Sequence, residues 1–283
     1  MDKPPGPTSH DVVQRVRRTF GVKAVGHTGT LDPFASGLLV LLVGRATRVA
    51  RFLDGLRKTY LAVARLGIRT ATDDRTGAAL GEPADPSALR PEAVQAAVEA
   101  LVGSHAQRPP AYSAKQVEGV RSYRRARRGE TVELPEVRVT VHAAVLLELA
   151  GERVTFRVTV STGTYVRALA RDLGERLGVG AHLAELRREA IGALHVGQAL
   201  PLERLGPDTP LLPLARVLEH LPSLALTDEE LADVRHGRAL KGRRPGGEAG
   251  GGAHLALLAH DDVVAIARDD GELLRPEVVL ESA

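Results

Sequence analysis

The sequence has no cysteine and no tryptophan, one methionine, and only four Phe and four Tyr among 283 residues. Without cysteine there are no disulfides, no thiol nucleophile, no cysteine-ligated zinc and no cysteine-held iron–sulfur cluster. The ten histidines show no ligand spacing such as HExxH, so a metal site has little support. No apolar stretch approaches the ~20 residues of a membrane helix, and the opening MDKPPGPTSHD lacks a signal-peptide pattern. These features point to a soluble cytoplasmic protein with no membrane contact. Its 43% apolar and 26% charged residues are those of a globular chain long enough for a sizeable core.

Net charge is only +3, but it is unevenly spread. The first 200 residues carry 29 Lys/Arg against 20 Asp/Glu, and the remainder carry 9 against 15. A basic front part suits a polyanion, because clustered cations release counterions when they bind phosphates. A solvated basic surface would look the same.

Periodicity predicts an α+β fold. Val12, Val13, Val16 and Phe20 follow helical spacing after Thr8 and Asp11, a pair spaced as a capping box. Residues 25–37 form a glycine-rich loop. Leu38–Val43 reads as one buried strand and Ala46–Leu53 as a short helix. Strands are expected around residues 60–66, where Tyr60, Ala62, Ala64 and Leu66 alternate with Leu61, Val63 and Arg65, and 154–160, where apolar and polar residues alternate, and helices around 94–101 and 166–177. Helical propensity alone would place Leu186 in a helix core. Beyond a proline-punctuated connector, Thr227 and Glu230 mark a capping box, Gly246–Gly252 a flexible loop and Asp270-Gly271 a hairpin turn. The expected organisation is one domain over 1–221, with a basic insertion at about 103–130, and a small β-rich domain over 222–283.

Taken alone, Asp32 in Gly26-His27-Thr28-Gly29-Thr30-Leu31-Asp32-Pro33 reads as a turn-capping residue. The segment is neither a Walker loop nor a dinucleotide fingerprint. Several motifs in order change this reading. Lys3-Pro4-Pro5-Gly6-Pro7-Thr8-Ser9, GHTGTLDPFASGLL, Gly44-Arg45-Ala46-Thr47-Arg48, Lys58-Thr59-Tyr60, Pro109-Pro110-Ala111-Tyr112-Ser113-Ala114, Gly163-Thr164-Tyr165-Val166-Arg167 and Leu186-Arg187-Arg188 together resemble the TruB family of pseudouridine synthases. One departure is visible: Lys115 follows Ala114 directly, whereas the family usually places a hydrophobic residue between them.

The resemblance implies a pseudouridine synthase fold, with a mixed and mainly antiparallel sheet, and a C-terminal PUA-like domain. It implies isomerisation of one tRNA uridine, position 55 in the T loop, without metal or cofactor. Asp32 matches the catalytic aspartate and Arg167 the arginine that pairs with it. Tyr60 matches the residue under the target base, His27 the one that holds the T loop open, and Tyr165 and Leu186 the pocket lining. The uridine must leave its stack to be reached. Lys3, Lys58, Arg187, Arg188 and the run Arg121, Arg124, Arg125, Arg127 and Arg128 are candidates for RNA backbone contacts. The implied partner is the tRNA T stem–loop, with no guide RNA or obligatory protein partner, and a monomer is expected. An RNA-remodelling protein that uses the same pocket without chemistry is the alternative. A glycosidase would call for a carboxyl pair, and the Asp32 loop offers no obvious partner.

Overall fold

The computed structural model describes residues 1–110, 134–241, 252–260 and 262–280, together with the backbone of Gln116–Val117 and Val120–Arg121. Two compact units divide the chain. The first gathers Met1–Thr8, Leu31–Leu38 and Gly55–Ala199, and the second gathers Ser9–Thr30, Leu39–Asp54 and Leu200–Ala283.

In chain order the strands up to residue 200 are β1 (Asp2–Lys3), β2 (Val25–Thr28), β3 (Ser36–Leu38), β4 (Val40–Val43), β5 (Lys58–Leu66), β6 (Arg69–Thr70), β7 (Ala79–Leu80), β8 (Gly103–Gln107), β9 (Gln116–Val117), β10 (Val120–Arg121), β11 (Val137–Ala150), β12 (Arg153–Val160), β13 (Ala181–Ile191) and β14 (Leu194–His195). The helices over this stretch are α1 (Ser9–Phe20), α2 (Pro91–Glu99) and α3 (Val166–Arg176).

In the first unit, alternation drives the sheet. Val154, Phe156, Val158 and Val160 of β12 are fully buried or nearly so, as are Ala62, Ala64 and Leu66 of β5. In β12 the alternating Arg153, Thr155, Arg157 and Thr159 point the other way, as a period of two requires; in β5 the alternate positions are Leu61, the buried Val63 and the exposed Arg65. The eight-stranded sheet runs β1-β3-β13-β5-β12-β11-β8, with β14 beside β13. Only the β13–β3 pairing is parallel. Helix α3 buries Val166, Leu169, Ala170 and Leu173 and packs on β13 and β5. Each large aliphatic or aromatic side chain so enclosed contributes roughly 1.5–3 kcal/mol. Gly174 lets helix and strand meet: a Cβ there would lie 2.2 Å from the Ala181 amide nitrogen.

Three local expectations change. Leu38–Val43 is not one strand; it breaks at Leu39, so that β3 joins the large sheet while β4 pairs with β2. Residues 25–37 are not all loop, since Val25–Thr28 form β2 and β3 starts at Ser36, whereas the expected short helix is present as a 3₁₀ helix over Gly44–Phe52. Leu186 lies on β13, whose sequence AHLAELRREAI is rich in helix formers. Placement between β5 and β3 overrides that propensity, because the strand's backbone groups pair on both sides.

In the second unit, α1 buries Val13 and Val16 against Val25 of β2, with Phe20, Leu41, Val43 and Leu205 around them. The rest of the unit contains a short helix α4 (Leu214–Val217), then β15 (Ser223–Ala225), helix α5 (Asp228–Arg235), β16 (Leu240–Lys241), β17 (His254–Ala259), β18 (Asp262–Asp269) and β19 (Leu273–Val279). A five-stranded sheet runs β15-β17-β18-β19-β16. The capping box at α5 is present: Glu230 N–H donates to Thr227 Oγ1 at 3.3 Å, and Thr227 N–H donates to Glu230 Oε2 at 2.8 Å. The Asp270-Gly271 turn is present too, with Gly271 at φ +99 and Asp270 N–H donating to Leu273 O. Of the glycine-rich loop, only Gly252 lies within the described residues.

Candidate active site

Asp32 sits in the loop that leads into β3. Ala35 N–H donates to Asp32 O at 3.1 Å, and Gly6 N–H donates to Pro33 O at 2.8 Å, so the turn is held from inside and from the N-terminal segment. Downstream, Gly37 at φ +103 packs on β13; a Cβ there would lie 2.3 Å from Arg188 O. Only glycine fits that backbone conformation and that approach together.

Lys3 closes the underside of the loop. It is wholly buried and donates from Nζ to the carbonyls of Pro4 (2.8 Å), Pro7 (2.9 Å) and Pro33 (3.4 Å). Burial brings its pKa down to about 8; the Asp32 carboxylate works against that shift and Arg188 adds to it. Arg188 is also wholly buried, and its Nε donates to Leu38 O at 2.7 Å. As placed, neither cation presents its charge to a phosphate, because desolvated donors are satisfied within the protein.

Arg167 enters from the first turn of α3. Gln107 holds the residue before that helix at two points: Tyr165 N–H donates to Gln107 Oε1 at 2.9 Å, and Gln107 Nε2 donates to Tyr165 O at 3.2 Å. The Arg167 side chain is 7% exposed, with its Nε 3.0 Å from Asp32 Oδ2. Its Nη1 lies 3.2 Å from Asp74 Oδ2 and donates to Thr72 O at 3.1 Å. One guanidinium thus binds two carboxylates in fixed directions, which a lysine cannot do.

Asp74 is 5% exposed at its side chain. Its Oδ1 accepts from Thr72 Oγ1 (2.7 Å), Thr76 N–H (2.9 Å) and Thr76 Oγ1 (2.6 Å). These donors fix the direction of the carboxylate, with Oδ2 turned to Arg167. Asp32 differs, with 36% of its side chain exposed. Burial pushes its carboxyl above the usual range, Arg167 and Lys3 pull it back, and Asp74 pushes it further up. The result is a solvent-reaching carboxylate on a buried support, suited to nucleophilic or basic chemistry.

Tyr60, on β5, is buried opposite Arg188 of β13 and Val158 of β12. Leu186 is opposite Ala62 on the same sheet face and is also buried. Tyr165 is half-buried at the start of α3. Lys58 donates to Leu56 O at 3.1 Å and to Thr162 Oγ1 at 3.4 Å. Arg187 turns to the opposite face and forms a two-point pair with Asp2, at 2.7 and 3.0 Å. His27 stands on β2 in the second unit, in register with Leu41. Arg124, Arg125, Arg127 and Arg128 lie outside the described residues, as does the Lys115 departure; of Arg121 only the backbone, in β10, is described.

Sequence reasoning missed Asp74. In isolation it is one of two adjacent aspartates in a polar loop. The available signal was Thr72 and Thr76 flanking it, each two residues away, a spacing that lets both hydroxyls fold back on the carboxylate. Among the described residues no group of three or more His, Asp or Glu side chains is placed to hold a metal ion.

Comparison with known proteins gives the family. Residues 17–166 match the model for the TruB family pseudouridylate synthase N-terminal domain, and residues 167–207 match that for the tRNA pseudouridylate synthase B C-terminal domain. The chain is 45% identical over 290 residues to the tRNA pseudouridine synthase B of Thermobifida fusca (strain YX), covering 99% of this chain and 96% of that protein. It is 44% identical over 288 residues to that of Parasynechococcus marenigrum (strain WH8102), covering 100% and 97%. Among solved structures, the archaeal box H/ACA sRNP Nop10-Cbf5 complex contains a chain with a TM-score of 0.75 and 28% identity, matched over 99% of this chain and 85% of that one. Motif order, the Asp32–Arg167–Asp74 arrangement and these matches converge: the chain belongs to the TruB family of pseudouridine synthases.

Proposed function

We propose that this protein converts a uridine of tRNA, position 55 in the T loop, to pseudouridine. The observation that carries this reading is the Asp32 carboxylate, oriented by Arg167 at 3.0 Å yet open to solvent. The reaction breaks the C1′–N1 bond, turns the base and forms a C1′–C5 bond. C5 loses its proton and N1 gains one, so nothing leaves and nothing is oxidised. Such chemistry asks for an ionised carboxylate beside the sugar, acting as nucleophile at C1′ or as base toward a sugar proton. Burial raises the Asp32 carboxyl, and Arg167 works against that shift, favouring the ionised form. Tyr60 offers a stacking face to the flipped base and a hydroxyl for proton movement at C5, while Tyr165 and Leu186 line its pocket.

His27 holds the T loop open, and Lys58, Arg187 and the run from Arg121 to Arg128 contact the RNA backbone. Lys3 and Arg188 brace the catalytic loop from within. Residues 1–221 serve as the catalytic domain, with 103–130 as its RNA-gripping insertion, and 222–283 as a PUA-like accessory domain. The enzyme acts in the cytoplasm as a monomer, without guide RNA, protein partner, metal or cofactor. Intact Asp32, Arg167 and Tyr60 favour catalysis over RNA remodelling alone.

The test is a T-stem–loop transcript incubated with wild type and Asp32→Ala, without added metal, and assayed for pseudouridine. Wild type is expected to turn over and the variant to bind without product. Full turnover by Asp32→Ala would sink the assignment.

A further inference from the structure

Asp73 immediately precedes Asp74 and has φ +58, the left-handed region that aspartate tolerates better than most residues. The loop around it is stitched to β13: Leu183 N–H donates to Asp73 O at 2.9 Å, and Arg75 N–H donates to Leu183 O at 3.0 Å. The Asp73 side chain meets Arg171, with Nη1 to Oδ2 at 2.9 Å. Arg171 lies one helical turn beyond Arg167 on α3, so both guanidinium groups leave the same side of the helix. Two neighbouring aspartates therefore face two arginines one turn apart, as a ladder with two rungs.

The second rung has further anchors. Arg171 reaches Asp172 Oδ1 from Nε at 3.0 Å and from Nη2 at 2.8 Å, and donates from Nη2 to Arg108 O at 3.2 Å. The Asp73 and Arg171 side chains are mostly buried, so the pair is less screened than a surface ion pair. Asp73 and Asp74 are adjacent in one loop, so the Asp73–Arg171 rung anchors the backbone from which Asp74 reaches Arg167.

Resting on the isomerase reading above, we propose that Asp73 and Arg171 are a positioning pair for the reaction. They fix the loop that presents Asp74 to Arg167 and, through Arg167, the orientation of the Asp32 carboxylate. Neither touches the substrate. Their effect falls on the rate of the chemical step and not on RNA affinity.

The experiment measures single-turnover rate constants and dissociation constants on a T-stem–loop RNA. The proteins are wild type, Asp73→Asn, Arg171→Lys, the double variant and, as control, Arg153→Gln. Asparagine keeps the left-handed backbone and removes the charge. Lysine keeps the charge and removes the fork that holds three partners. Each single variant is expected to lose roughly fivefold to tenfold in rate with binding within about twofold, and the double variant to be no slower than the slower single. Arg153→Gln, on an exposed ion pair, is expected to match wild type. Wild-type rates in both single variants, a loss confined to binding, or multiplying losses in the double variant would each overturn the proposal. Absence of pseudouridine with wild type would instead overturn the isomerase reading.

Discussion

The first unit contains two kinds of arginine–carboxylate contact. On the exposed face of the sheet, Arg157 reaches Glu189 at 2.7 Å across β5, Arg65 meets Glu152 at 2.7 Å, and Arg153 pairs with Glu185. These arginines are 45–48% exposed, and each of these pairs joins one cation to one carboxylate. Arg167 is 7% exposed and joins two carboxylates and a backbone carbonyl. The distances are alike, but the surroundings are not. Water and salt screen the exposed set, whose pairs contribute little. In the buried set one guanidinium holds two carboxylates and a carbonyl in fixed directions, so orientation is enforced.

The largest test of this contrast is Asp32→Asn. Turnover is expected to vanish in a stem–loop assay while the melting temperature at neutral pH holds or rises. The sign follows from burial. A carboxyl whose folded pKa is raised is less comfortable ionised in the fold than in the unfolded chain. Its ionisation therefore lowers stability as pH climbs through the folded value, and the neutral amide escapes that cost. In the wild type the same shift should set the acid limb of the pH–rate profile above the ordinary aspartate range, and a limb at or below that range would contradict it.

Arg167→Lys comes next. Charge is kept but two of three contacts are lost, so we expect a rate loss of about a hundredfold with RNA affinity largely retained. A wild-type rate would show that the fork is dispensable. Asp74→Asn should cost about tenfold in single-turnover rate, because one anchor of Arg167 weakens while the hydroxyl donors remain. Smallest of all is Arg157→Gln, expected to change stability by less than ~1 kcal/mol and the rate not at all. A large effect there, by denaturant melt or kinetics, would break the comparison.

The same contrast explains what was legible in the sequence. Strand β12 announces itself because one face is apolar and the other polar, and β5 by its run of alternating small and large apolar residues. The α5 cap and the Asp270 turn are local hydrogen-bond patterns written in a few residues. By contrast, β13 looks helical residue by residue; it is a strand because partners on both sides complete its backbone bonds. The break at Leu39 is equally non-local, since β3 and β4 belong to different sheets. Asp32 and Arg167 could be read through family motifs. Asp74 could not, as its role depends on a guanidinium 93 residues away.

The parallel join between β3 and β13 also places the site in time. The Arg188 Nε to Leu38 O bond closes a loop of 150 residues, and the Arg187 contact to Ser36 closes one of 151. Contacts of such separation form late, after the entropy of closing the intervening chain has been met. During synthesis at ~5–20 residues per second, the Asp32 loop waits roughly eight to thirty seconds for the strand that fixes it. A nascent chain ending before Ala181 already carries Asp32 and Arg167 but lacks the strand that seats the Asp32 loop, so activity should emerge only once β13 has cleared the ribosome.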